Sequence, residues 1–89
     1  MPQVELTSQL AQLADCPAVQ SVQAETLGDA LTDLFAQHEQ MQQHVLDGSG
    51  SIHAHLAVFV DGVMIERDKL ATPVSSDGKI FVMQALSGG

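Results

Sequence analysis

Residues 52–61 read as a strand with alternating faces, Ile52, Ala54, Leu56, Val58 and Val60 on one side and His53, His55, Ala57 and Phe59 on the other. A period of two marks a β-strand with two unlike faces. Asp61-Gly62 follows at once, and Val63, Met64 and Ile65 return as a short strand. Asp-Gly accepts the backbone that a two-residue hairpin turn needs. A chain with this hairpin must build a sheet, and one face of that sheet must be covered.

The cover is the one long helical stripe. Thr26 is placed to cap its first turn, with Asp29 three residues later in a box-like arrangement. Leu27, Ala30, Leu31, Leu34 and Phe35 then follow the helical period, which could continue through Met41, Val45 and Leu46. His38 falls near the middle of that stripe, so a break or bend is expected near His38-Glu39.

The other segments supply strands and connections. Residues 3–7 alternate Val4 and Leu6 with polar neighbours, a half-buried strand pattern. Residues 8–15, with Leu10 and Leu13 three apart, fit a loop or a short helical turn, and Asp15-Cys16-Pro17 breaks the pattern. Residues 18–25, carrying Val19, Val22 and Ala24, form a second candidate strand with imperfect alternation, able to make an antiparallel hairpin with the first. Residues 47–51 are a loop by composition. Residues 67–77 are a polar connection containing Pro73, with Leu70 and Val74 as core anchors. Asp77-Gly78 turns the chain into a last strand through Ile80, Phe81, Val82 and Met83. The expected fold class is α+β: a mixed sheet of about five strands with one main helix, in a single domain over residues 1–89. Residues 86–89 form an extended C-terminal tail.

Charge narrows the function classes. Eleven acidic residues face three basic ones, Arg67, Lys69 and Lys79, for a formal net charge of −8. Such a surface disfavours nucleic acid, whose binding depends on cations at the phosphates, and favours partners with basic surfaces. Cys16 is the single cysteine, so no internal disulfide is possible. No apolar run approaches membrane-spanning length, and residues 1–15 lack the features of a signal peptide. The expectation is a cytoplasmic protein with no membrane partner.

Three groups of residues are candidates for function. The last strand runs into Gly88-Gly89. Residues without a Cβ can lie extended in a channel too narrow for side chains, which makes the Gly89 carboxylate the candidate working group. A flexible, inert terminus is the plainer alternative. By alternation, Phe59, Phe81 and Met83 point away from the face that takes the helix, and an exposed cluster of large apolar side chains marks a partner surface. Four histidines are present, with His53 and His55 sharing a face if they lie on a strand. They have none of the spacing of a zinc motif, so no metal is expected. Cys16 beside Asp15 lacks the cationic neighbours of an activated thiol.

The element order, the Asp61-Gly62 hairpin and the Gly88-Gly89 end together resemble the MoaD/ThiS family of sulfur carriers, which have the ubiquitin-like β-grasp fold. The most specific parts are "HLAVFVDG" and "LATPVSSDGKIFVMQALSGG". Asp61 and Gln84 stand where the family often has Asn and Pro. The resemblance implies that an adenylating, E1-like enzyme docks on the sheet face, with Leu86 and Ser87 also binding the partner, and draws Ser87, Gly88 and Gly89 into its ATP site. Gly89 would be adenylated and then converted by a sulfur donor to a thiocarboxylate, for use by a sulfur-accepting synthase or sulfur-transfer enzyme. The carrier itself would bind no cofactor and perform no catalysis, ATP being used by the activating partner. The length of the loop over residues 47–55 leans towards the molybdopterin-synthase small subunit, or towards carriers feeding cysteine and thiolated metabolites. The alternative is a ubiquitin-like modifier joined through Gly89 to lysines of its targets, and a weaker third reading is a structural subunit with an inert tail.

Overall fold

A computed structural model of the protein describes residues 1–84. Its elements are β1 (Gln3–Leu6), α1 (Ser8–Ala14), β2 (Val19–Ser21), α2 (Leu27–Gln37), α3 (Met41–Val45), β3 (Leu56–Val60), β4 (Val63–Ile65) and β5 (Lys79–Gln84). The five strands form one mixed sheet in the order β2-β1-β5-β3-β4. β1 and β5 run parallel at its centre, and the other neighbours are antiparallel.

All the helices cover one face. Val4 and Leu6 of β1, Leu56, Val58 and Val60 of β3, and Ile80 and Val82 of β5 project to that side. They pack there with Leu10, Leu27, Leu31, Leu34, Met41 and Val45 in a single core cluster. The core is almost wholly aliphatic, as a chain with three Phe and no Trp or Tyr requires.

The start of α2 shows why the long connection before β5 is needed. The first three amides of a helix have no partner inside it. Here the Leu27 N–H donates to the Thr72 carbonyl at 2.8 Å, and the Gly28 N–H to the Leu70 carbonyl at 2.7 Å. The Asp29 N–H donates to the Thr26 hydroxyl at 3.1 Å. Residues 70–72 thus close the helix end that Thr26 caps on its own for only one amide. Val74 is buried and Leu70 packs against the core, as expected of the anchors.

The bend near His38 is present: α2 ends there, and α3 restarts at Met41 with Met41 and Val45 fully buried. Asp61 and Gly62 both have positive φ, 50° and 85°, as a two-residue turn of this hand demands. Asp61 also holds the first residue of β5. Its carboxylate accepts the Lys79 N–H at 2.9 Å, and its own N–H donates to the Lys79 carbonyl at 2.8 Å.

Four expectations are corrected. Residues 8–14 form a full helix, with Leu10, Ala11 and Ala14 inward and Leu13 in solvent. Leu10 and Leu13 do not share the buried face because the stripe follows i, i+1 and i+4 from Leu10. The candidate strand over residues 18–25 is confined to Val19–Ser21, in which Gln20 turns inward and Val19 faces out. The amide of Gln20 is accommodated by a 3.0 Å bond to the Pro17 carbonyl. The strand over residues 52–61 begins only at Leu56. Ile52 instead bridges to Leu46, the His53 N–H donates to the Val45 carbonyl, and the Leu56 N–H returns to the His53 carbonyl. The chain therefore turns at residues 53–55. Finally, Phe35, placed on the buried stripe of α2, is only partly covered.

Among the described residues no buried side-chain nitrogen or oxygen lacks a hydrogen-bond partner, and no helix is long and apolar enough to cross a membrane.

Candidate functional site

The sheet face opposite the helices carries the candidate partner surface. Strand register places Val19 beside Glu5, Glu5 beside Phe81, Phe81 beside Phe59 and Phe59 beside Met64. One transverse row thus crosses all five strands, apolar except at Glu5. Met83 stands in the next row, beside Ala57. Val19 and Met64 at the two ends are 52% and 63% exposed. Phe59, Phe81 and Met83, which the alternation assigns to this face, are brought together on it and are half-buried. Side chains directly opposite in an antiparallel pair lie about 5 Å apart at Cβ, so each shields its neighbour. They border an open hollow of about 410 Å³ with Glu5, Gly62 and Lys79 at its edges. A larger hollow of about 770 Å³ lies on the helix side, but polar side chains such as Glu39, Gln40, Gln42 and Asp47 line it.

Val19 and Met64 are members of the row that the sequence reading misses. Met64 was within reach of it, since a two-residue turn at Asp61-Gly62 sets Met64 opposite Phe59. Val19 was not, because its place depends on how β2 pairs with β1.

The described part of β5 ends at Gln84. Gln84 lies opposite Leu56 of β3, and on its other side its side-chain oxygen accepts the Thr7 hydroxyl proton at 2.9 Å. Leu86, Ser87, Gly88 and Gly89, the remaining candidate residues, lie outside the described residues.

The other candidates stay apart from this face. His53 and His55 have ring centroids 4.7 Å apart, through the turn that joins them rather than along a strand. Among the described residues no three His, Cys, Asp or Glu side chains gather closely enough to hold a metal ion. Burial pushes the Cys16 thiol up from its ordinary pKa, and the charge of Asp15 adds to this against a hydrogen bond from Gln20. Such a thiol is a poorer nucleophile at neutral pH. Asp47 organises the loop after α3. Its carboxylate accepts from the Ser49 hydroxyl and the Ser49 and Ser51 amides, and it pairs with Arg67 at 3.0 Å.

Comparison with solved structures defines the class. A chain of the Amycolatopsis orientalis BexX/CysO complex is similar with a TM-score of 0.85 at 14% identity, over 100% of both chains. Mycobacterium tuberculosis CysO is similar with a TM-score of 0.85 at 20% identity, over 97% of this chain and 100% of that one. SAMP1 from Haloferax volcanii is similar with a TM-score of 0.77 at 23% identity, over 99% and 98%. With the mixed five-stranded sheet, these likenesses make the fold a ubiquitin-like β-grasp. The model of the ThiS family matches residues 4–89, and the chain belongs to that family. Membership makes it a carrier protein and not itself an enzyme. A sequence search of curated proteins gives no match.

Proposed function

We propose that the protein is a sulfur carrier that works through the carboxylate of Gly89 as its terminal residue. The observation that carries this reading is the match to the ThiS family, which runs through Gly88-Gly89. The apolar row on the open sheet face supports it, since a carrier must be recognised as a folded body while its end reacts elsewhere. The face docks on an adenylating enzyme through Phe59, Phe81 and Met83, and Leu86 and Ser87 lead the diglycine into the ATP site.

There a Gly89 carboxylate oxygen attacks the α-phosphorus of ATP. A carboxyl–phosphate bond forms, the α–β anhydride breaks, and pyrophosphate leaves. The terminal sulfur of a persulfide donor then attacks the acyl carbon and displaces AMP. A thiol cleaves the resulting acyl disulfide, releasing the thiocarboxylate and leaving a disulfide on the donor side. The oxidation state at carbon is unchanged, and the thiol supplies the reducing equivalents. A receiving enzyme takes the sulfur into a product such as molybdopterin, cysteine or a related thiolated metabolite, all in the cytoplasm. The carrier contributes position and an unbranched end rather than catalytic side chains.

A second reading is favoured by the likeness to SAMP1 and to the small archaeal modifier protein 1 of Methanosarcina acetivorans. In it the same adenylate is passed to a lysine amine of a target, giving an amide-linked conjugate.

Intact-mass measurement after incubation with the source organism's adenylating enzyme, ATP and a persulfide donor tests the proposal. The expected result is the mass gain of one oxygen replaced by sulfur, mapped to Gly89. The gain should be lost on deleting Gly89 or adding a residue after it, and strongly slowed by Gly88→Val, whose branched side chain restricts the backbone. No adenylate and no mass gain would overturn it. Lysine conjugates in host cells without a free thiocarboxylate would favour the modifier.

A further inference from the structure

Gln84 is a half-buried polar residue at the end of an apolar stripe. It continues the inward parity of Ile80 and Val82, both fully buried, at the last position of β5. Thr7 supplies what this position needs, from the far end of the sequence: its hydroxyl donates to the Gln84 side-chain oxygen at 2.9 Å. The same hydroxyl accepts the Leu10 N–H at 3.4 Å as the cap of α1. The Thr7 N–H donates to the Val82 carbonyl at 3.3 Å, and its carbonyl accepts the first α1 bond from Ala11. Thr7 is therefore tied to β5 twice, by backbone and by side chain, and to α1 twice. Its own orientation is fixed before it touches Gln84. On the opposite side, β3 holds Gln84 through the pairing with Leu56.

We infer that Thr7 and Gln84 form a clamp that fixes the direction in which the chain leaves the sheet, making Thr7 a positioning residue for activation of the terminal carboxylate. The inference rests on the carrier reading above. Gly89 lies five residues beyond Gln84 in the sequence, and such a stretch can reach at most about 17 Å. A small change of direction at Gln84 is multiplied over that length. A misplacement of about 1 Å at a reacting atom can lower a rate by about a hundredfold. The clamp lies off the open sheet face, on the helix side, so it bears on delivery of the end and not on docking. Neither residue touches the reacting atoms.

ATP–pyrophosphate exchange by the source organism's adenylating enzyme, with intact carrier as the varied substrate, tests this. Gln84→Met keeps length and removes the acceptor while leaving the α1 cap intact. Thr7→Val removes the donor and the cap together, and Thr7→Ser keeps both. Gln84→Met and Thr7→Val should each lower kcat about tenfold with KM within about twofold of wild type, and Thr7→Ser should retain wild-type kcat. The double variant should be no slower than the slower single, because the two groups form one bond. Gln84→Met at wild-type kcat, a loss carried by KM alone, or a double variant showing the product of both losses would each overturn the clamp. A wild-type chain that supports no exchange would instead overturn the carrier reading itself.

Discussion

Phe59 and Phe81 stand directly opposite one another across the antiparallel pairing of β3 and β5. Both point away from the helices, and the pairing that joins them joins Val58 to Val82 on the buried side. One register therefore builds the core and the open apolar row together. A shift of one residue would exchange the two faces, burying Phe81 and exposing Val82.

Phe81→Asp should separate docking from folding. The side chain is half-buried at the middle of the row and lies beside Glu5, so the new carboxylate meets a like charge and no cation of its own row. Affinity for the adenylating enzyme, measured by calorimetry, should fall about 30-fold, a loss of about 2 kcal/mol typical of a central apolar anchor. Stability of the isolated chain should fall by only about 1 kcal/mol. Unchanged affinity would remove the row from the interface.

Leu34→Ala tests the helix face. Leu34 is fully buried between α2 and the sheet. Truncation should destabilise the fold by about 2–5 kcal/mol, which in a chain of this size lowers Tm by about 10 °C or more. Circular dichroism melting measures it, and an unaltered Tm would contradict the burial.

Gly78→Ala and Gly48→Ala make a matched pair. A Cβ on Gly78 would lie 2.9 Å from Val74 Cγ1 and 3.0 Å from the Ser75 carbonyl oxygen, whereas one on Gly48 would meet nothing within 4 Å. The turn before β5 cannot give way without moving the Gly78 carbonyl from the Gln3 N–H it accepts at 3.0 Å. Gly78→Ala should cost about 1–3 kcal/mol in denaturant unfolding, and Gly48→Ala should lie within about 0.5 kcal/mol of wild type.

Acid should loosen the loop after α3 through Asp47. The Ser49 hydroxyl first and then the Ser49 amide hold its carboxyl below the ordinary carboxylate value, with lesser help from the Ser51 amide and Arg67, against an opposing effect of desolvation. The unfolded chain thus takes up this proton more readily than the folded one. The contribution of Asp47 is full above its unfolded pKa and is lost as pH falls towards its folded one. The stability difference between wild type and Asp47→Asn should accordingly shrink as pH drops below about 4. A difference constant from neutral pH into that range would show that the carboxylate charge contributes nothing.

Most of the scaffold was legible because its signals are local. The cap at Thr26, the break at His38, the Asp61-Gly62 turn and the alternation through Ile80 and Val82 each follow from the conformational preferences of a few adjacent residues. The same alternation placed Phe59, Phe81 and Met83 on the open face, since parity along a strand needs no knowledge of its neighbours. Where local preference was divided, the reading failed. Alternation continued back to Ile52, yet the pairing of Leu46 with Ile52 and of Val45 with His53 drew that stretch into a turn.

The sequence by itself therefore determined roughly where the strands and the main helix lie and which side of each central strand faces the core. The tertiary structure alone decided what those segments meet. That Val19 and Met64 extend the row, that residues 70–72 close the start of α2, and that Thr7 holds Gln84 across 77 positions are matters of strand order and register. No local pattern encodes them, because hydrogen bonds between distant residues form only once the burial of the core has brought their backbones together.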